Sequence, residues 1–172
     1  MLLNDINNSA AKAGKLFLVI GGLAVLARGH SRLTGDVDLL VPKGERQFWI
    51  ELIMSLGYSV SQNHEVFVRF SFKNDTSWPV DLMFVRDEIF EVMLTESDSA
   101  EIGGVAVKVP SVKHLISLKL HALKQRQEHR EDRDFADLKY LASLNNVEKH
   151  ELRQLCEKYG RIDLYERINA KD

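Results

Sequence analysis

Thr34-Gly35-Asp36-Val37-Asp38-Leu39-Leu40-Val41 is the stretch on which the fold turns. Val37–Val41 is a short apolar run that halts at Pro42, the pattern of a strand buried on both faces. Side chains two apart on a strand share a face, so Asp36 and Asp38 project together from backbones roughly 6.5 Å apart. Val37 and Leu39 then turn toward the core. Two carboxylates on one face repel unless a cation lies between them. Hard oxygen donors of this kind suit Mg²⁺ or Mn²⁺, which complete their shells with water and phosphate oxygens. The blander reading, an aspartate pair that orders a turn or caps a helix, fits less well because an apolar strand begins at once.

Working outward, a third carboxylate stands in Pro79-Val80-Asp81-Leu82-Met83-Phe84-Val85. Asp81 interrupts an apolar strand, where a lone charge is costly to bury. Two readings compete there: a strand-start aspartate paired with an arginine, and a metal ligand. A strand carrying it beside Val37–Val41 would complete a triad able to hold two metals about 3.5–4 Å apart. On the N-terminal side, Leu16–Ile20 is a continuous apolar run followed by Gly21-Gly22 and the helix-forming Leu23–Arg28. Glycines at such a strand-to-helix junction let backbone N–H groups approach a phosphate closely, and a helix N-terminus favours negative charge. Thr34 either bonds a phosphate or orders the Thr-Gly-Asp turn. Arg32 either binds triphosphate or is solvated, whereas Arg28 at the helix end reads as a solvated charge.

The remaining elements follow from periodicity. Leu2, Leu3, Ile6 and Ala10 space an amphipathic helix that stops at Gly14, and Phe48, Leu52, Ile53 and Leu56 space a second over 44–56. Val66, Val68, Phe70 and Phe72 alternate as a strand does, and Val105, Val107 and Val109 form a shorter one. From Ser111, placed to cap Val112–Lys124, the chain reads as helical, with further helices near Asp132–Leu144, Val147–Lys158 and Ile162–Ile168. The expected architecture is therefore mixed α/β (α+β): a mixed, twisted sheet flanked by helices over residues 1–110, then a C-terminal helical bundle over 111–172, packed on the core as one compact unit.

Composition excludes more than it assigns. The 172 residues suit one domain with a small helical addition, and 45% hydrophobic content is enough for a core. A net charge of −2 announces no global basic field for nucleic acid, and a local patch would suffice for phosphate contacts. The single Cys156 rules out an internal disulfide framework and reads as a small apolar residue on a late helix. No secretory signal pattern opens the sequence, and the longest apolar stretch, Leu16–Ala27, is too short to span a bilayer, so a soluble cytoplasmic protein with no membrane partner is expected. Trp49 and Trp78 read as core or near-site packing, and His30 as structural.

Together, Gly21-Gly22, Arg32, Thr34-Gly35-Asp36-Val37-Asp38 and the later Asp81 resemble the nucleotidyltransferase superfamily of DNA polymerase beta, and within it the bacterial abortive-infection (type IV toxin) nucleotidyltransferases. The resemblance runs over roughly Leu16–Leu141. It takes in Pro110–Leu120, which looks like the helix where that group carries a lysine, and Arg133-Asp134-Phe135-Ala136-Asp137-Leu138, which looks like its Asp-x-x-Asp helix. It implies the nucleotidyltransferase fold and a metal-dependent enzyme that moves a nucleoside monophosphate from ATP or another NTP to a hydroxyl on an RNA end, a protein or a small molecule. By the same resemblance, Asp36, Asp38 and Asp81 bind metal, Lys119 contacts nucleotide phosphates, and Asp134 orients Lys119 or the acceptor hydroxyl. Arg126 or Arg130 adds phosphate contacts. A toxin or antitoxin partner is implied as well. Two other readings stay open: a catalytically silent nucleotide- or partner-binding member of the same fold, and an aminoglycoside-type antibiotic nucleotidyltransferase.

Overall fold

The computed structural model describes residues 2–72, 77–124, 128–144 and 147–170, the side chains of 128–130 excepted. The chain divides into two compact units, Met1–Pro110 and Ser111–Asp172. In the first, helix α1 (Leu2–Lys12) buries Leu3, Ile6 and Ala10 at helical spacing. Strand β1 (Leu18–Val19) leads into α2 (Gly21–Ala27), then β2 (Val37–Pro42), a short 3-10 turn (Lys43–Glu45) and α3 (Arg46–Ser55). There follow β3 (Tyr58–Asn63), β4 (Phe67–Phe72), β5 (Val80–Val85), α4 (Asp87–Thr95) and the hairpin of β6 (Asp98–Ile102) with β7 (Val105–Val109).

Five strands form one sheet in the order β1-β2-β5-β4-β3. Only β2 and β5 run parallel, with Asp38 opposite Asp81; the other neighbours pair antiparallel. The pleat sorts the side chains of the central strands. Val37, Leu39, Val68, Phe70, Val80 and Leu82 are buried, with no more than 3% of their surface exposed, while Asp38, Arg69 and Asp81 alternate with them on the opposite face. Trp49 of α3 is fully buried, with Phe17 and Phe48 packed edge-on against it. Phe48, expected on the core face, yields that place to Trp49.

Several expectations are corrected. The strand read over Leu16–Ile20 shrinks to two residues: Leu18 and Val19 stand in register with Leu40 and Leu39 of β2, and Leu16 is 56% exposed. Strands β3 and β6 and helix α4 have no counterpart in the periodicity reading. β3 is a sheet-edge strand whose polar Ser, Gln and Asn residues face solvent and whose one buried residue is Tyr58. In α4 the buried Phe90 and Met93 are interleaved with exposed Ile89 and Val92, which blurs the apolar stripe. β6 is acidic and mostly exposed, and its place is owed to pairing with β7. Arg28, read as solvated, instead bonds Asp98 Oδ2 at 2.7 Å and the Pro110 carbonyl at 2.6 Å, tying the end of α2 to the hairpin. Trp78 is half exposed rather than packed, its carbonyl accepting a bond from the Tyr58 hydroxyl.

The second unit comprises α5 (Val112–Lys124), α6 (Glu128–Ser143), α7 (Lys149–Lys158) and α8 (Ile162–Asn169). Ile116, Leu120, Leu138, Leu141, Cys156 and Leu164 are its fully buried centre. Ser111 stands at the cap of α5, its hydroxyl 3.5 Å from the His114 N–H, and Glu148 with Glu151 closes a capping box on α7. Arg161 donates to the Leu123 carbonyl at 2.6 Å and pairs with Asp163, which ties the start of α8 to the end of α5. Among the described residues no helix is long and apolar enough to cross a membrane.

Candidate active site

Strand β2 starts where two backbone bonds hold it: Val37 N–H donates to the Pro79 carbonyl at 3.0 Å, and Ile20 N–H donates to the Asp38 carbonyl at 2.9 Å. The first brings the start of β2 against the start of β5. The second brings the β1–α2 junction against Asp38. Three segments far apart in sequence thus meet at one edge of the sheet's polar face.

Asp36, Asp38 and Asp81 converge there, with one carboxylate oxygen from each lying within 4.8 Å of the others. All three are half-buried. The Asp38–Asp81 pairing follows from parallel register, and the two-residue spacing of a strand adds Asp36 on the same face. Arg69 of β4, opposite Asp81 on the other side, brings its Nε to 2.9 Å from Asp81 Oδ1. Asp81 is paired with an arginine, and it also stands in the carboxylate cluster. Arg69 was missed in the sequence, where it is one polar residue in an alternating strand. Knowing which strand neighbours β5 would have been needed to single it out.

The glycine pair has a steric reason. Gly21 has φ +62°, and a Cβ built there would overlap the Asp38 carboxylate. A side chain at Gly21 would thus be strained by its backbone and would displace a site residue. At Gly22 a Cβ would lie 2.5 Å from both Arg32 Nη2 and Thr34 Oγ1. The glycines open α2 itself, packed against the Asp38 carboxylate on one side and against Arg32 and Thr34 on the other. Thr34 donates to Asp36 Oδ1 at 3.1 Å, so it orders the aspartate turn. Arg32 donates to the Leu33 carbonyl at 2.9 Å, and the loop exposes Leu33 almost completely, at 93%. Gly21, Gly22, Arg32, Thr34, Asp36, Asp38 and Asp81 therefore form one cluster.

The other two expected residues, Lys119 and Asp134, form a second cluster within the helical unit. Lys119 Nζ lies 2.7 Å from Asp134 Oδ1 and 2.7 Å from Asp137 Oδ2. Its side chain is 11% exposed, that of Asp134 18%, and that of Asp137 not at all. Asp134 and Asp137 are three apart on α6, and this spacing aims both at one lysine. Lys119 is no snorkelling surface lysine. Arg126 lies outside the described residues, as does the side chain of Arg130. Cys156 is fully buried, and burial foremost, with nearby Asp163 in support, pushes its thiol up to about 11, consistent with an inert apolar role.

Comparison with known proteins bears on this geometry. Among solved structures, ANT(2'')-Ia in complex with adenylyl-2''-tobramycin superposes with a TM-score of 0.72 at 17% identity, covering 92% of this chain and 95% of that one. The lincosamide antibiotic adenylyltransferase LnuA, bound to lincomycin, gives 0.59 at 14% identity, covering 82% of this chain and 94% of that one. A nucleotidyltransferase-like protein from Paracoccidioides brasiliensis gives 0.56 at 19%, covering 95% and 88%. At such identities the likeness is one of fold. No protein of curated function matches the sequence. The family profile described as nucleotidyl transferase AbiEii toxin, type IV toxin–antitoxin system, matches residues 2–169. Nearly the whole chain, both units included, thus follows one family pattern, and the protein belongs to the AbiEii family of nucleotidyltransferases.

Proposed function

We propose that Asp36, Asp38 and Asp81 are the metal-binding carboxylates of this nucleotidyltransferase, and that it transfers a nucleoside monophosphate from a triphosphate to a hydroxyl on an RNA end or a protein. The observation that carries the reading is the convergence of three carboxylate oxygens within 4.8 Å of one another on one sheet face. The donor set fits Mg²⁺ or Mn²⁺: all ligands are hard oxygens, half-buried and open to water or phosphate. A divalent cation bound there would neutralise charge on the phosphates and on the departing pyrophosphate.

The chain's own residues supply the rest. The absence of side chains at Gly21 and Gly22 lets Asp38, Arg32 and Thr34 close on the start of α2, and Arg32, held over Gly22, presents positive charge to the phosphates. Asp81 takes the proton of the acceptor hydroxyl as that oxygen attacks the α-phosphorus. The bond from the α-phosphorus to its bridging oxygen breaks, and pyrophosphate leaves. Lys119, held by Asp134 and Asp137, contacts nucleotide phosphates. In the family's terms the protein would act as the toxin of a toxin–antitoxin pair, countered by a cognate antitoxin. The acceptor is a cellular macromolecule in this reading. The fold shared with ANT(2'')-Ia and LnuA favours a second, an antibiotic hydroxyl.

The test is Mg²⁺-dependent transfer of label from each α-³²P NTP to a panel of total RNA, cell protein and tobramycin. We expect labelling of RNA or protein, reduced at least about 100-fold by Asp36→Ala. Label found on tobramycin alone would move the assignment to antibiotic modification. Labelling that persists in Asp36→Ala would sink the carboxylate assignment.

A further inference from the structure

Across the polar face of the sheet runs a row of three side chains from three neighbouring strands: Asp38 of β2, Asp81 of β5 and Arg69 of β4. Asp81 stands in the middle, with a carboxylate on one flank and a guanidinium on the other. Arg69 Nε reaches Asp81 Oδ1 at 2.9 Å, and the Arg69 side chain is about two-thirds buried. With Asp36 the row brings three carboxylates together, and Arg69 is ion-paired to the middle one, Asp81. A guanidinium keeps its charge at every working pH, so this positive charge is permanent and cannot be titrated away.

We propose that Arg69 is the built-in counter-ion of the carboxylate cluster, and that its fixed charge restrains the cluster's affinity for a bare divalent cation. The proposal rests on the reading of Asp36, Asp38 and Asp81 as metal ligands. The argument is Coulombic. An arginine that touches one ligand carboxylate stands a few ångströms from any cation those ligands hold, and it repels that cation. It also stabilises the cluster when no cation is bound, since three carboxylates whose oxygens lie within 4.8 Å of one another repel. A cation that arrives with a triphosphate brings compensating negative charge, so Arg69 weighs against the metal alone more than against the metal–nucleotide complex. Arg69 is thus a positioning and charge-setting residue rather than a catalytic one.

The test is binding of Mn²⁺ alone, with no nucleotide, followed by the electron paramagnetic resonance signal of free Mn²⁺. Wild type is compared with Asp38→Asn, Arg69→Gln and Arg69→Lys. Removing a unit charge a few ångströms from a divalent ion, even with water-like screening, corresponds to about tenfold tighter binding. We expect that tightening in Arg69→Gln and affinity within about threefold of wild type in Arg69→Lys, which keeps the charge. Arg69→Met, an apolar side chain of similar length, is expected to show the same tightening and serves if Arg69→Gln does not fold. Equal or weaker Mn²⁺ binding in the charge-removing variants, with wild-type binding lost in Asp38→Asn, would overturn the counter-ion role and leave the metal site standing. Wild-type Mn²⁺ binding that is absent, or unchanged by Asp38→Asn, would overturn both.

Discussion

The two clusters of charge in this protein are built on opposite plans. In the sheet unit, three carboxylates crowd together with Arg69 ion-paired to one of them, half-buried and open toward solvent. In the helical unit, one lysine sits between two carboxylates, and Asp137 is removed from water entirely. The first arrangement sets like charges side by side, which costs stability and would be offset by the cation proposed to bind there. In the second, the lysine is held between both carboxylates, one of them fully buried. Like charges gathered half-buried fit the metal site proposed above. Paired charge marks a group that must be held still.

The sharpest way to break that contrast is to compare stability after a single deletion in each cluster. Lys119→Met should cost about 3–5 kcal/mol, because it removes the cation held 2.7 Å from the fully buried Asp137. Asp38→Asn should leave stability unchanged or raise it by about 1 kcal/mol, because it relieves like-charge repulsion, while it abolishes transfer. Urea denaturation at neutral pH reads both. Equal losses in the two variants would mean that the clusters do not differ in the way described.

A second measurement asks how far the helical unit's interior is shielded from water. The Cys156 thiol is raised from its ordinary 9.0 to about 11, burial being the main cause. A raised folded value favours the neutral thiol, so its contribution to stability is whole below about 9 and is lost as pH climbs toward 11. Wild type should lose on the order of 2 kcal/mol more than Cys156→Ala across that window. Parallel pH profiles for the two proteins would show that the thiol is not shielded.

A further modest effect on stability, larger on activity, belongs to the sheet unit. Gly21→Ala places a side chain on a positive-φ residue and against the Asp38 carboxylate. It should cost about 1–2 kcal/mol, and in the labelling assay it should reduce transfer more than Gly22→Ala does. At Gly22 the groups that must move are the side-chain ends of Arg32 and Thr34. The reverse order would mean that the turn, rather than the carboxylate, needs the glycine.

The sequence determined what repeats and what alternates. Asp36 and Asp38 share a face because strands have a period of two, and Asp134 and Asp137 share one because helices put residues three apart together. The apolar runs around Asp81 and Lys119 already said that those charges needed partners. What only the tertiary structure decided was who those partners are. The parallel register of β2 with β5 sets Asp38 opposite Asp81, and the antiparallel register of β4 sets Arg69 on the other side. Neither pairing is written in local spacing, because strand order depends on how the whole sheet closes around its core. The same holds for β3 and β6, polar strands recognised only by the neighbours they pair with. Arg28 shows it for a single side chain: its partners lie 70 and 82 residues away, a distance that only folding closes.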